Sequence, residues 1–197
     1  MLLVNQLDAN FYAVHPEHAQ KSNYPVNDTS MVYGGPGLLP MGGEAWSKPY
    51  SPLLKYEWAP TYEALVRASK ATDGSAYDGI IMQYVNPATG GSVMKTLGAC
   101  VQLLRGAERT KAHRHTGSIV YNVAKGAGFS IINGKRFDWK KNDIFVVPSW
   151  AWHEHANGSG SEDACLFAFN DLPVMHALGL YREEAYGDNQ GRQPLKS

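Results

Sequence analysis

The sequence predicts an all-β domain, a sandwich or closed barrel, preceded by an irregular arm with one helix and followed by a short C-terminal helix. From Val93 onward the apolar residues fall in short β-branched or aromatic runs separated by glycine or polar turns, the pattern of many short strands. Asn133-Gly134, between Ile132 and Lys135, is a hairpin signal, because both central positions of a type I′ turn take positive φ. A third observation is histidine spacing. His113-Arg114-His115 and His153-Glu154-His155 hold four of the seven histidines, and an extended strand sends alternate side chains to one face.

Taken in order, residues 1–55 are rich in Asn, Pro, Gly and Tyr, with breakers at Tyr33-Gly-Gly-Pro-Gly37 and Met41-Gly-Gly43, and read as an irregular arm. Its aromatic residues, among them Phe11, Tyr24, Trp46 and Tyr50, need a surface to pack on, so the arm is expected to wrap a domain of its own chain or of a partner. Pro60-Thr61 opens a helix with Thr61 as its cap and Tyr62, Leu65, Val66 and Ser69 on one side; Asp73-Gly74 ends it. Strands follow at 93–104, 118–123, 128–132, 136–139, 144–147, 151–156 and 164–169. Asp171-Leu172-Pro173 then starts a helix whose buried side carries Val174, Leu178 and Met175. The divisions are an arm and helix over 1–75, the β-domain over 76–171, and a C-terminal helix and tail over 172–197.

Composition bounds the function. A chain of 197 residues, 44% hydrophobic and 18% charged, with a formal net charge of +0, buries a substantial core and has no electrostatic bias toward nucleic acid or anionic membranes. No helix-turn-helix pattern or basic face is visible. Met1-Leu-Leu-Val4 is interrupted too soon by Asn5 and Asp8 to be a signal or membrane-spanning segment, and a cytoplasmic protein is expected. Cys100 and Cys165, each in an apolar run, read as buried reduced thiols.

The histidine pairs point to a metal. A first-row divalent ion needs a few convergent neutral nitrogens, and two strands carrying His-x-His can aim imidazoles at one point. Around them, Gly106 precedes the first pair and Gly126 follows it. Asn142-Asp143 opens a second run in which Pro148, His153 and Asn157 fall at fixed intervals. This two-part pattern resembles the signature of the cupin superfamily, which implies a jelly roll with His113, His115 and His153 as metal ligands. Where many cupins carry a ligating glutamate, this chain has Ile119 and Val120, so the resemblance implies a three-histidine site. Within the cupins, Tyr84-Val-Asn86-Pro87-Ala-Thr89-Gly90-Gly91, His113-Arg-His-Thr116, Val147-Pro148-Ser-Trp150-Ala-Trp152-His153-Glu-His155, Asp171-Leu-Pro173-Val-Met175 and Leu178-Gly-Leu180-Tyr181-Arg182-Glu183 resemble the gentisate 1,2-dioxygenases and their salicylate and 1-hydroxy-2-naphthoate relatives. Those enzymes hold two cupins per chain. The likeness is to their linker and C-terminal cupin, not to the N-terminal cupin best known as the iron site.

The resemblance implies iron(II) as cofactor, an aromatic carboxylate and dioxygen as reactants, and a homo-oligomer. The ring opens between the carboxyl-bearing carbon and its hydroxylated neighbour. His155 would lie beside the substrate, and Tyr121 stands where a substrate-gripping arginine is expected; these two are the candidate catalytic side chains. Arg105 and Arg109, with Lys111, are candidates to grip the carboxylate instead. Trp150 and Trp152 read first as core or interface residues, with Trp152 as the candidate stacking platform for substrate. Arg114 and Glu154 should face away from their histidine neighbours. Two other readings stay open: a non-catalytic cupin half that mediates oligomerisation, and a metal-dependent cupin enzyme acting on another small molecule.

Overall fold

The structure, a computed structural model, describes residues 56–87 and 89–196. The expectation of a wrapping arm over 1–55 lies outside the described residues. The chain divides into units of residues 1–61 and 62–197, so most of the first helix goes with the β-domain.

Helix α1 (Trp58–Ala71) precedes β1 (Ile80–Gln83), β2 (Gly98–Leu104), β3 (His113–His115), β4 (Ile119–Lys125), β5 (Ala127–Ile132), β6 (Lys135–Lys140), β7 (Ile144–Val147), β8 (His153–Asn157) and β9 (Ala164–Asn170); α2 (Leu172–Ala177) and β10 (Glu183–Ala185) follow. Two five-stranded sheets, in the orders β1-β2-β9-β4-β7 and β10-β3-β8-β5-β6, are antiparallel throughout. This is a jelly-roll sandwich, and the expected fold class holds. Asn133 at φ 50° and Gly134 at φ 82° make the foreseen hairpin turn between β5 and β6.

Alternation decides which residues meet between the sheets. Ile119, Tyr121 and Val123 of β4, Val147 of β7, and Ala164, Leu166 and Ala168 of β9 pack with Ile132 and Trp139 from the other sheet and with Ala151 of the β7–β8 turn. A second cluster, Leu65, Ile80, Val101, Leu103 and Cys165 with half-buried Tyr62 and Val66, seats α1 on the outside of the first sheet. Leu65 is wholly buried, which contributes about 2 kcal/mol of transfer free energy. Both cysteines are free, and burial pushes each thiol up to about 12.

Several expectations are corrected. Helix α1 begins at Trp58, and the Thr61 hydroxyl donates back to the Glu57 carbonyl at 2.7 Å, so Thr61 does not cap it. Strand β2 begins at Gly98, because Val85 bridges Ser92 and turns occupy the chain before it. Strand β8 begins at His153 rather than at residue 151: Trp150 has φ 63°, outside the strand region. The C-terminal helix has six residues and none is buried. Leu178 is exposed, since so short a helix ends before it can present a face. Beyond it, Glu183–Ala185 form β10, unforeseen because three residues carry no alternation to read, and β10 pairs with β3.

Candidate metal centre

The site is built on β3 and β8. His113 and His153 are directly opposed in the ladder, and His115 lies on the same face two residues on. All three are buried. Ring centroids stand 4.3 Å apart for His113 and His153, 5.1 Å for His115 and His153, and 5.6 Å for His113 and His115. One ligand nitrogen from each lies within 4.8 Å of the others. Such a group could hold a metal ion.

Hydrogen bonds behind the rings show what the nitrogens are for. His153 Nδ1 lies 3.0 Å from the Ala151 carbonyl, and His115 Nδ1 lies 3.1 Å from the Thr116 carbonyl. A carbonyl only accepts, so each Nδ1 carries the proton and each Nε2 keeps a bare lone pair, the arrangement a ligating imidazole needs. His153 Nε2 and His113 Nδ1 are buried with no hydrogen-bond partner. Unpaired buried nitrogens are costly, and a cation bound among them satisfies them, so this donor set fits a metal. Burial lowers the His153 and His113 pKa, with neighbouring histidines lowering both further and Asp78 opposing the shift at His113. These two rings are therefore held toward the neutral form, the one that binds metal.

The turn between β7 and β8 explains the spacing of the second motif. Pro148-Ser149-Trp150-Ala151 folds so that the Trp150 N–H donates to the His115 carbonyl at 2.8 Å and Ala151 presents its carbonyl to His153. Asn157 staples the far end of β8, its amide nitrogen donating to Leu104, Arg105 and Glu162 carbonyls.

His155 and Tyr121 join the histidines in the interior. The His155 ring centroid is 5.8 Å from that of His153 and 4.8 Å from that of Tyr121, which stacks on Phe145. Burial, then His113, lowers the His155 pKa to about 3, and burial raises that of Tyr121 well above a phenol's usual value. Both are neutral at physiological pH.

Arg105, Arg109 and Trp152 make their contacts elsewhere. Arg105 donates to the Ser69, Thr72 and Asp73 carbonyls at the end of α1. Arg109 forms an ion pair with Glu154, which alternation places on the outer face of β8. Trp150, expected in the core, is exposed; it and Trp152 flank the Arg114 guanidinium at 4.5 and 4.4 Å on that same outer face.

Two polar residues escaped sequence reasoning. Gln102 is buried with its side-chain nitrogen unpartnered. It pairs in register with the core residue Leu166, which puts it on the inner face. A lone amide within the apolar run Gly98–Leu104 was its signal. Asp78 places Oδ1 3.8 Å from His113 Nε2; no sequence signal links it to a histidine so far along the chain.

Residues 100–169 match the family of cupin domains. The chain thus contains a cupin domain. Across 93% of its length this cupin is 47% identical to 5-aminosalicylate 1,2-dioxygenase of Comamonas sp, of which it covers 48%. It is 35% identical over 92% of its length to gentisate 1,2 dioxygenase 1 of Aquipseudomonas alcaligenes, of which it covers 51%. Among solved structures, the G106A mutant of salicylate 1,2-dioxygenase from Pseudoaminobacter salicylatoxidans, in complex with gentisate, superposes with a TM-score of 0.64 at 32% identity, covering 82% of this chain and 45% of that one. The likeness to the gentisate type of 1,2-dioxygenase thus extends over nearly the whole cupin, which spans about half the length of these relatives.

Proposed function

We propose that this cupin holds iron(II) on His113, His115 and His153 and uses dioxygen to open the ring of a hydroxylated aromatic carboxylate such as gentisate, between the carboxyl-bearing and hydroxyl-bearing carbons. The observation that carries the reading is the set of bare, buried histidine nitrogens in a chain this similar to 5-aminosalicylate 1,2-dioxygenase. Bound iron would supply the redox chemistry that dioxygen needs to react with an aromatic ring.

The chain's own residues supply the setting. Three neutral imidazoles contribute no charge, which leaves the dication's full charge for an anionic ligand. Tyr121 and Phe145 form an aromatic wall beside His155, which orients a flat substrate and excludes water. The His155 ring offers a neutral polar contact to a carboxylate or phenolate. With Arg105 and Arg109 engaged elsewhere, that grip lacks a bidentate guanidinium and is weaker for it. In this reading the protein works in the cytoplasm as a homo-oligomer. No helix among the described residues is long and apolar enough to cross a membrane.

One observation favours a second reading, a metal-binding cupin half without turnover: a buried neutral phenol, Tyr121, stands where the resemblance implies an arginine. Anaerobic loading with ferrous iron, then gentisate and air, decides between them. Stoichiometric oxygen uptake with an ultraviolet-absorbing ring-opened product supports the dioxygenase. Tight iron binding without turnover on gentisate, salicylate or 5-aminosalicylate overturns it in favour of the structural half.

A further inference from the structure

We infer that Ser130 and Trp139 are positioning residues that keep the proton of His155 on Nε2, so that this buried ring offers a hydrogen-bond donor there and is barred from joining the other three histidines as a metal ligand. Ser130 pairs with His155 in the β5–β8 ladder, and its Oγ lies 2.7 Å from His155 Nδ1. Trp139 Nε1 donates to that same oxygen at 2.9 Å. Indole N–H only donates, so the serine oxygen is an acceptor there, and the one partner left for the serine proton is Nδ1.

The opposite arrangement, with His155 donating from Nδ1, would leave two buried groups unmade: the serine hydroxyl proton and a bare Nε2. The inferred one leaves only the Nε2 proton unpaired. Ser130, Trp139 and His155 are all buried, and the Ser130–His155 and Trp139–Ser130 contacts are direct. Gly128 leaves room for this packing: a Cβ there would stand 2.1 Å from the Ala156 carbonyl oxygen and 2.5 Å from Trp139 Cη2, so a side chain does not fit.

The contrast with His153 and His115 is the core of the inference. A backbone carbonyl behind those rings makes Nε2 a lone pair; a relayed hydroxyl behind His155 makes Nε2 a proton donor. One strand thus carries a ligand and a donor two residues apart. That the donor serves an anionic ligand rests on the function proposed above, whereas the tautomer does not.

The test is long-range proton–nitrogen NMR on protein labelled with ¹⁵N-histidine and loaded with zinc, a diamagnetic probe. The expected result is a pyrrole-type Nε2 and a pyridine-type Nδ1 for His155, with Nδ1 protonated in His115 and His153. In Ser130→Ala the tautomer ratio of His155 should shift roughly tenfold or more toward Nδ1–H, and Ser130→Thr should restore it. Trp139→Phe should give a smaller shift. A protonated Nδ1 at His155 in the unaltered protein, or an unchanged ratio in Ser130→Ala, overturns the inference. The reading needs no turnover, so the expected tautomer in a protein that consumes no oxygen would leave this inference standing and remove only the dioxygenase.

Discussion

Strand β8 buries both of its faces, yet the two are opposite in character. Inward, His153 and His155 each end in a nitrogen with no partner. Outward, Glu154 is 1% exposed and fully engaged: Arg109 pairs with one carboxylate oxygen, and the Gln193 N–H donates to the other at 3.1 Å. Burial alone does not distinguish function from structure, but the state of the polar atoms does. Paired buried groups hold the sheet together, whereas unpaired ones are costly to folding and are explained by something that binds.

The sharpest way to break that contrast is to remove a ligand. His113→Ala or His153→Ala should lose the metal, by more than the roughly 10–100-fold that loss of a supporting hydrogen bond costs. The fold should survive, because the core clusters do not depend on these rings. Metal titration and circular dichroism check both halves, and a collapsed fold in either variant would refute the separation of site from scaffold.

The outer face should behave in reverse. Arg109→Met strands the buried Glu154 carboxylate and should destabilise the domain by about 3 kcal/mol, read by chemical denaturation, with metal affinity unchanged. Equal losses of stability and affinity would show that the faces are not independent.

A pH series separates them further. The folded-state pKa of His155 is about 3, against an ordinary value of 6.5, and that of His153 is also depressed. Between those values the unfolded chain binds more protons than the folded one. Stability of the metal-free protein should therefore rise with pH across this window and be lost as pH falls from about 6.5, by up to about 1.4 kcal/mol per pH unit for each imidazole kept neutral. His155→Phe should flatten the slope; thermal melts at pH 7 and pH 5 that coincide would contradict this.

The smallest effect belongs to Arg114, partly exposed between Trp150 and Trp152 and paired with Glu184 at 2.6 Å. Arg114→Ala should cost about 1 kcal/mol of stability and leave metal binding untouched.

Much of the site was legible because it lies on regular strands. Alternation places His113 with His115 and His153 with His155 on common faces, and it sends Arg114 and Glu154 to the other side. Legibility failed where the backbone departs from that rule. The positive φ of Trp150 swings a large apolar side chain out of the core position its sequence neighbourhood suggests. Arg105 and Arg109 looked free because sequence does not show that helix-end carbonyls and a buried carboxylate claim them. Gln102 was passed over inside an apolar run, and Asp78 comes from a turn remote in sequence.

By itself the sequence determined the β-sandwich, the hairpin at Asn133-Gly134, the three convergent histidines and the dioxygenase likeness. These are local matters of turn chemistry, side-chain period and motif spacing. Only the tertiary structure decided which nitrogen of each ring is bare, which arginines are already spent, and that β10 closes the sheet beside His113. Each of these depends on which carbonyl, hydroxyl or carboxylate from a distant part of the chain lies behind a given side chain, and hydrogen bonding is directional enough that this contact, rather than residue identity, makes one histidine a ligand and its neighbour a donor.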